Sequence, residues 1–130
     1  MTRINCIPPS ELINKHLLAE YRELPRIFKL ARKANDAPKL YCLGTGHMKF
    51  FFDKLIYLVK RQEEIIKEMI KRGMKPNFRA EDLWQYHEKA GGNCESSLWN
   101  DWIPTQEAMR INKARIEERL IEMKVKSHAV

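Results

Sequence analysis

Within the first 26 positions lie a terminal amine, a carboxylate and several guanidinium groups that could act together. The chain opens Met1-Thr2-Arg3-Ile4-Asn5. The small side chain at position 2 favours removal of Met1, which would leave the Thr2 α-amino group as the terminus. An α-amine has a pKa of ~7.7–8.0 and a lysine amine ~10.4. At pH 7 roughly a tenth of the first is therefore neutral and nucleophilic, against about 0.04% of the second. Such an amine needs no buried pocket to activate it. Glu23 supplies a carboxylate, and Arg3, Arg22 and Arg26 supply planar cations suited to gripping phosphate.

These groups must be positioned by an arm and a helix. Residues 1–10 read as an extended arm, because Pro8 and Pro9 disfavour helix in the residues before them. Ser10 is a candidate N-cap for a first helix over about 11–34, with Glu11 in its first turn. Ile13, Leu17, Tyr21, Leu24, Phe28 and Ala31 recur at three- and four-residue spacing as one apolar stripe. Pro25 interrupts it and removes a backbone donor, which predicts a kink. A loop over 35–46 carries Asp36, Pro38, Gly44 and Gly46. A second helix is expected over about 47–72, with Phe51, Leu55, Leu58, Gln62, Ile65 and Met69 inward and Gly73 as its stop. A short helix near 80–89 and a turn at Gly91-Gly92-Asn93 follow. Pro104 opens a third helix over about 104–124, with Met109, Ile116, Leu120 and Met123 inward. Arg115 and Arg119, four apart, put charge on a face flanking the apolar one. Nothing sustains strand alternation. The expected architecture is all-α: a compact single domain of three main helices with an extended N-terminal arm.

Composition narrows the partners. A 130-residue chain suggests one domain. A net charge of +7 points toward a polyanion, nucleic acid being the commonest, although charge alone also fits simple solubility. Three cysteines, Cys6, Cys42 and Cys94, without a Cys-x-x-Cys pair argue against a disulfide framework and for a reducing compartment. His87 and Cys94 do not amount to a zinc site. Neither a signal peptide nor an apolar run of the ~20 residues that a membrane span requires is evident. The expectation is a cytoplasmic chain with no membrane partner. Gly44-x-Gly46-His47 lacks the surroundings of a phosphate loop and reads as a helix entry.

Five blocks carry a more specific signal: MTRIN, HLLAEYRELPR (16–26), GTGHMKFFFDK (44–54), KRQEEIIKEMIKRG (60–73) and NDWIPTQEAMRINKARI (100–116). In this order they resemble the endonuclease V-type pyrimidine-dimer DNA glycosylases of phages, bacteria and algal viruses, over about residues 1–123. The resemblance implies that the Thr2 amine is the nucleophile at the sugar C1′ and that Glu23 is the catalytic acid. Read without it, Glu23 between two arginines would be an ordinary surface ion-pair partner. It implies DNA-backbone contacts for Arg3, Arg22, Arg26, Arg115 and Arg119, and a phosphate or sugar contact for His16. The chain departs from the family at its end. Members often carry a tail rich in tryptophan and tyrosine, whereas this chain finishes KVKSHAV. Aromatic side chains stack on bases, so lesion choice is the property this departure touches. Trp84, Trp99 and Trp102 are better read as packing residues.

The activity so implied is that of a DNA repair glycosylase with abasic-site lyase activity, acting on cyclobutane pyrimidine dimers in damaged double-stranded DNA. It would work as a monomer, without metal or organic cofactor, in a bacterial cell or an infected host. Two alternatives stay open from the sequence: a glycosylase for another damaged or modified base, and a DNA-binding protein without catalysis.

Overall fold

A proline-rich entry sets the first helix. The structure, a computed structural model, describes residues 4–31, 47–88 and 98–128. Thr2, Arg3, the expected loop over 35–46, Cys42, Cys94 and the Gly91-Gly92-Asn93 turn lie outside the described residues. Pro9–Glu11 forms a single 3-10 turn, in which Glu11 N donates to the Pro8 carbonyl at 2.9 Å and Leu12 N to that of Pro9 at 3.1 Å. Ser10 thus sits inside this turn and does not cap α1 (Asn14–Ala31). Proline suits the first position of such a turn because it has no N–H to satisfy. The expected stripe of α1 is the buried one, with Leu17, Leu24 and Phe28 wholly enclosed and Ile13 at its margin.

Pro25 lies within α1 and cannot donate to the Tyr21 carbonyl, its i−4 partner. That buried carbonyl instead accepts from Gln62 Nε2 of the facing helix at 3.1 Å. A polar residue in the inner stripe of the second long helix thereby replaces the hydrogen bond that proline deletes. On the same turn, the Tyr21 hydroxyl accepts from the backbone N–H groups of Asn77 and Phe78 at 2.7 and 3.2 Å, and its ring stacks on Phe78.

The expected single helix over 47–72 is broken. A turn of helix, α2 (His47–Phe50), passes through a 3-10 turn, Phe51–Asp53, and a non-helical Lys54 into α3 (Leu55–Lys71). The break falls at three consecutive phenylalanines, which a continuous α-helix would spread over about 200° of its surface. After the tighter turn Phe50, Phe51 and Phe52 are all enclosed. Lys54 seals the joint: its Nζ donates to the Phe50 carbonyl at 2.9 Å and to Asp53 at 2.7 Å, and lies 3.8 Å from the Phe50 ring centroid. The predicted inner stripe from Phe51 to Met69 is nonetheless the buried one.

At the end of α3, Gly73 takes φ of 84°, with its N–H donating to the Ile70 carbonyl and that of Met74 to the Met69 carbonyl. This pair of bonds is the glycine-terminated helix stop. Ala80–Trp84 (3-10) and α4 (Gln85–Glu88) fill the region where a short helix is expected. The last helix, α5 (Gln106–His128), begins two residues beyond Pro104, because Thr105 Oγ1 caps it by accepting from Ala108 N at 3.0 Å. Trp102 meets Phe50, Phe51 and Tyr57 edge-on, and the buried Trp99 stacks on Trp84, so these tryptophans bind the chain's later half to the core. Three long helices carry the fold, and the described residues contain no strand.

The proline repair gives a test. Gln62→Leu should destabilise the fold by about 1–3 kcal/mol, the cost of a buried unsatisfied carbonyl. In a Pro25→Ala background the loss should shrink, because alanine at that position has the N–H that restores the bond to the Tyr21 carbonyl. A double-mutant cycle by urea unfolding measures the coupling, and strictly additive losses would separate the two residues.

Candidate functional site

The N-terminal arm is held by all three long helices at once. Asn5 Nδ2 donates to Glu20 Oε1 of α1 at 2.9 Å. Arg61 of α3 donates through Nη1 to the Ile7 carbonyl at 2.6 Å and through Nη2 to Asn5 Oδ1 at 3.0 Å. Asn112 of α5 accepts from the Cys6 N–H at 3.3 Å. Farther along, Arg72 donates to the Pro9 carbonyl at 3.1 Å and to Asn14 at 2.9 Å. At the centre Arg61 and Glu20 form a two-point ion pair, Nε to Oε2 at 2.8 Å and Nη2 to Oε1 at 3.0 Å, with side chains 3% and 0% exposed.

Burial governs the charges of this cluster. It works against the Arg61 guanidinium, but the Glu20 carboxylate outweighs it and holds Arg61 protonated above the usual arginine range. Burial likewise pushes the Glu20 carboxyl up, opposed by Arg61 and Asn5; since Arg61 keeps its proton, Glu20 is the carboxylate that balances it. The Cys6 thiol, raised to about 11 by burial, stays neutral beside them. Asn5, Glu20, Arg61 and Asn112 were not singled out from the sequence. Charged and amide residues ordinarily read as surface. Their one available signal is that each falls inside one of the five blocks.

Glu20 occupies a stripe that also contains His16 and Glu23, at i, i+4 and i+7 on α1. Glu23 therefore sits about one turn beyond the residue that holds the arm. Its side chain is 18% exposed, and Arg26 Nη1 lies 3.5 Å from its Oε1. Arg26 is itself 69% exposed, and such a pair contributes at most ~1 kcal/mol, so a competing anion can open it. Arg22 is exposed on the neighbouring flank. His16 is buried, its Nδ1 makes no hydrogen bond, and its pKa is lowered by burial first and then by cations that include Lys15 and Arg119.

On α5 the most enclosed line is not quite the expected one. Ala108 and Asn112 are buried, and the same stripe continues at i+7 and i+11 to Arg115 and Arg119. Both arginines are about one-third exposed and paired within the helix, Arg115 to Glu118 at 3.1 Å and Arg119 to Glu122 at 3.0 Å. Leu120 and Met123, expected inward, are half-buried. Arg119 Nε is buried without a hydrogen-bond partner. The structure thus brings His16 and Glu23 onto one stripe of α1, Arg119 within electrostatic range of His16, and Arg115 one turn before Arg119.

A cleft of about 620 Å³ lies elsewhere. Pro25, Phe78, Trp84 and Tyr86 line it with the carboxylates of Glu81 and Asp82. Pro25 stands about 200° around α1 from Glu23, and an acidic lining opposes phosphate, so the cleft is separate from the Glu23 stripe. Among the described residues no three His, Cys, Asp or Glu side chains cluster to hold a metal ion, and no helix is long and apolar enough to cross a membrane. Residues 1–82 match the family model described as pyrimidine dimer DNA glycosylase. That span includes the arm, all of α1 and α3, and three of the four members of the buried cluster.

The lowered His16 pKa makes stability pH-dependent. In the unfolded chain His16 takes its proton as pH falls through ~6.5. The folded chain resists to lower pH, so its stability declines below about pH 6.5. Comparing wild type with His16→Gln by urea unfolding from about pH 7.5 to pH 5 should give a stability difference that drifts against the wild type as pH falls. Parallel curves would mean that His16 protonates as freely folded as unfolded.

Proposed function

The chain belongs to the pyrimidine dimer DNA glycosylase family, and from that premise we propose that it breaks the glycosidic bond of the 5′ nucleotide of a cyclobutane pyrimidine dimer in duplex DNA, leaving that base tied to its neighbour by the cyclobutane ring, and then cleaves the strand. It would do so as a monomer folded as one domain. The Thr2 α-amine attacks C1′ of the dimer's 5′ nucleotide, and the bond from C1′ to the pyrimidine N1 breaks. The sugar ring opens to an imine on the Thr2 nitrogen, the product expected of an amine nucleophile and a carbonyl equivalent. The imine acidifies C2′, and loss of that proton expels the 3′ phosphate by β-elimination. Water then hydrolyses the imine and returns the amine.

Glu23 stabilises the cation-like sugar as the base leaves and moves protons during imine formation and elimination. Arg3, Arg22 and Arg26 hold the backbone phosphates around the lesion, as planar two-point donors. Displacing a nucleotide from the stack costs a few kcal/mol, and less where the base is damaged.

The observation that carries this reading is the grip on the arm. Asn5 is bonded to Glu20, one turn from Glu23. Three residues span at most roughly 10–11 Å, a reach that would allow the Thr2 amine to meet the carboxylate that would assist it. Support for Arg119 as a backbone contact comes from its partly exposed side chain; the buried Nδ1 of His16 would reach a phosphate only once uncovered.

Borohydride trapping tests the mechanism. With ultraviolet-irradiated duplex the wild-type chain should yield a reduced covalent adduct that peptide mapping assigns to residue 2. Glu23→Gln should slow its formation by ~10²–10⁴-fold, the usual cost of losing one positioned acid or base. An adduct on a lysine, or equal activity from protein that retains Met1, would defeat the assignment.

The α5 arginines predict a separate behaviour. Each phosphate contact adds a slope of about −0.9 to log K against log salt. Arg115→Ala and Arg119→Ala should each flatten the slope by about that amount, on damaged and undamaged duplex alike. Glu118→Gln and Glu122→Gln should tighten binding, because their carboxylates compete with phosphate for the same guanidinium groups. Salt titrations with unchanged slopes would take α5 out of the interface.

A further inference from the structure

The buried cluster under the arm does more than an anchor requires. Ile4, Ile7 and Leu12 are enclosed and already bind the arm through apolar burial. Apolar contacts tolerate a slip of a fraction of a residue; a set of directional hydrogen bonds does not. Asn5 is 1% exposed and both of its terminal atoms are engaged. Nδ2 donates to Glu20 at 2.9 Å, while Oδ1 accepts from Arg61 at 3.0 Å and from the Ile7 N–H at 3.1 Å. Taking an ion pair such as Glu20–Arg61 out of water is costly and often no more stabilising than apolar packing. Its definite effect here is geometric. It fixes the arm backbone at Asn5 and Ile7 against the stripe of α1 that bears Glu23.

We infer that Asn5 is a positioning residue that, through the Glu20–Arg61 pair, sets the distance between the amine of residue 2 and the Glu23 carboxylate. The inference rests on the proposed reading that this amine is the nucleophile. Asn5 touches no reacting atom; it acts through the two residues of chain between itself and Thr2. Reaction rates respond steeply to such placement, since a misplacement of 1 Å can cost ~10²-fold. Asn112 serves the same end from α5, through the Cys6 N–H.

The test separates positioning from folding. Asn5→Ala and Asn112→Ala are compared with Leu83→Ala, a core truncation in the 3-10 segment away from the arm that lowers the thermal midpoint by cavity formation. Each variant is assayed, at a temperature where it is folded, for affinity to ultraviolet-irradiated duplex and for single-turnover borohydride trapping at saturating protein. Asn5→Ala should keep wild-type affinity but trap about 10- to 100-fold more slowly. Asn112→Ala should show the same split to a lesser degree, and it carries the test should Asn5→Ala not fold. Leu83→Ala should trap at the wild-type rate. Arm variants that trap as fast as wild type overturn the inference and leave the amine mechanism intact. A Leu83→Ala that slows equally also overturns it, since the cluster then matters only for stability. A wild-type chain that forms no adduct at residue 2 overturns the underlying reading, and the inference with it.

Discussion

The Glu20–Arg61 ion pair is the interaction to which the rest of the structure is keyed. It joins α1 to α3 across 41 residues of sequence, and both side chains are removed from water. Burial of this kind is tolerated only when the remaining hydrogen-bonding capacity is used. Here the carboxylate receives Arg61 Nε, Arg61 Nη2 and Asn5 Nδ2, while the spare guanidinium donors go to Asn5 Oδ1 and the Ile7 carbonyl. The ion pair therefore cannot be satisfied by two helices alone. It requires the arm, and the arm in one register. A charge that would be a liability in the core thus specifies where the first residues of the chain lie.

The same logic recurs at smaller scale. Pro25 breaks the α1 ladder, and Gln62 from α3 completes it. The bend at 51–54 encloses three successive phenylalanines, and Lys54 closes it. In each case a local conflict is resolved by a group from the facing element or from the next turn. The helices consequently pack in one relative position: sliding α3 by a turn would cost the Tyr21 carbonyl, the ion pair and the phenylalanine cluster together. Local irregularity here acts as a register mark, as expected where local and tertiary preferences agree on one structure.

Those devices also explain what could be read from the residues beforehand. Apolar period identified the inner stripes of α1 and α3 correctly, because burying a face is a collective effect that single residues do not upset. The bend at 51–54 escaped the same reading, since Phe51, Leu55 and Leu58 keep helical spacing on either side of it. The stop at Gly73 was legible because left-handed backbone favours glycine. Ser10 and Pro104 misled by position: a 3-10 turn absorbs the first, and Thr105, a better cap, lies just beyond the second. For the candidate site, the resemblance pointed to Arg22, Glu23 and Arg26 but not to the residues that support them. Arg61 stands between Lys60 and Gln62 in a charged stretch, and nothing in a linear pattern links it to a glutamate 41 positions earlier.

The charge around the α1 stripe has a consequence for an amine placed there. His16 is pressed toward its neutral form by burial and by neighbouring cations, Lys15 and Arg119 among them. Any cationic acid brought to the same surface meets the same two influences, because desolvation and like charge both disfavour the protonated form. A terminal amine begins with a pKa of only ~7.7–8.0; a modest push in that direction leaves most of it neutral at physiological pH. Arginines that attract phosphate would thus also help to keep a nearby amine nucleophilic, while remaining protonated themselves because their own pKa lies far above neutrality. Lysine would serve less well in that double role, since its ammonium surrenders a proton more readily in a desolvated, electropositive site. Were an amine to work among phosphates on this surface, arginine at positions 22, 26, 115 and 119 would suit it better than lysine.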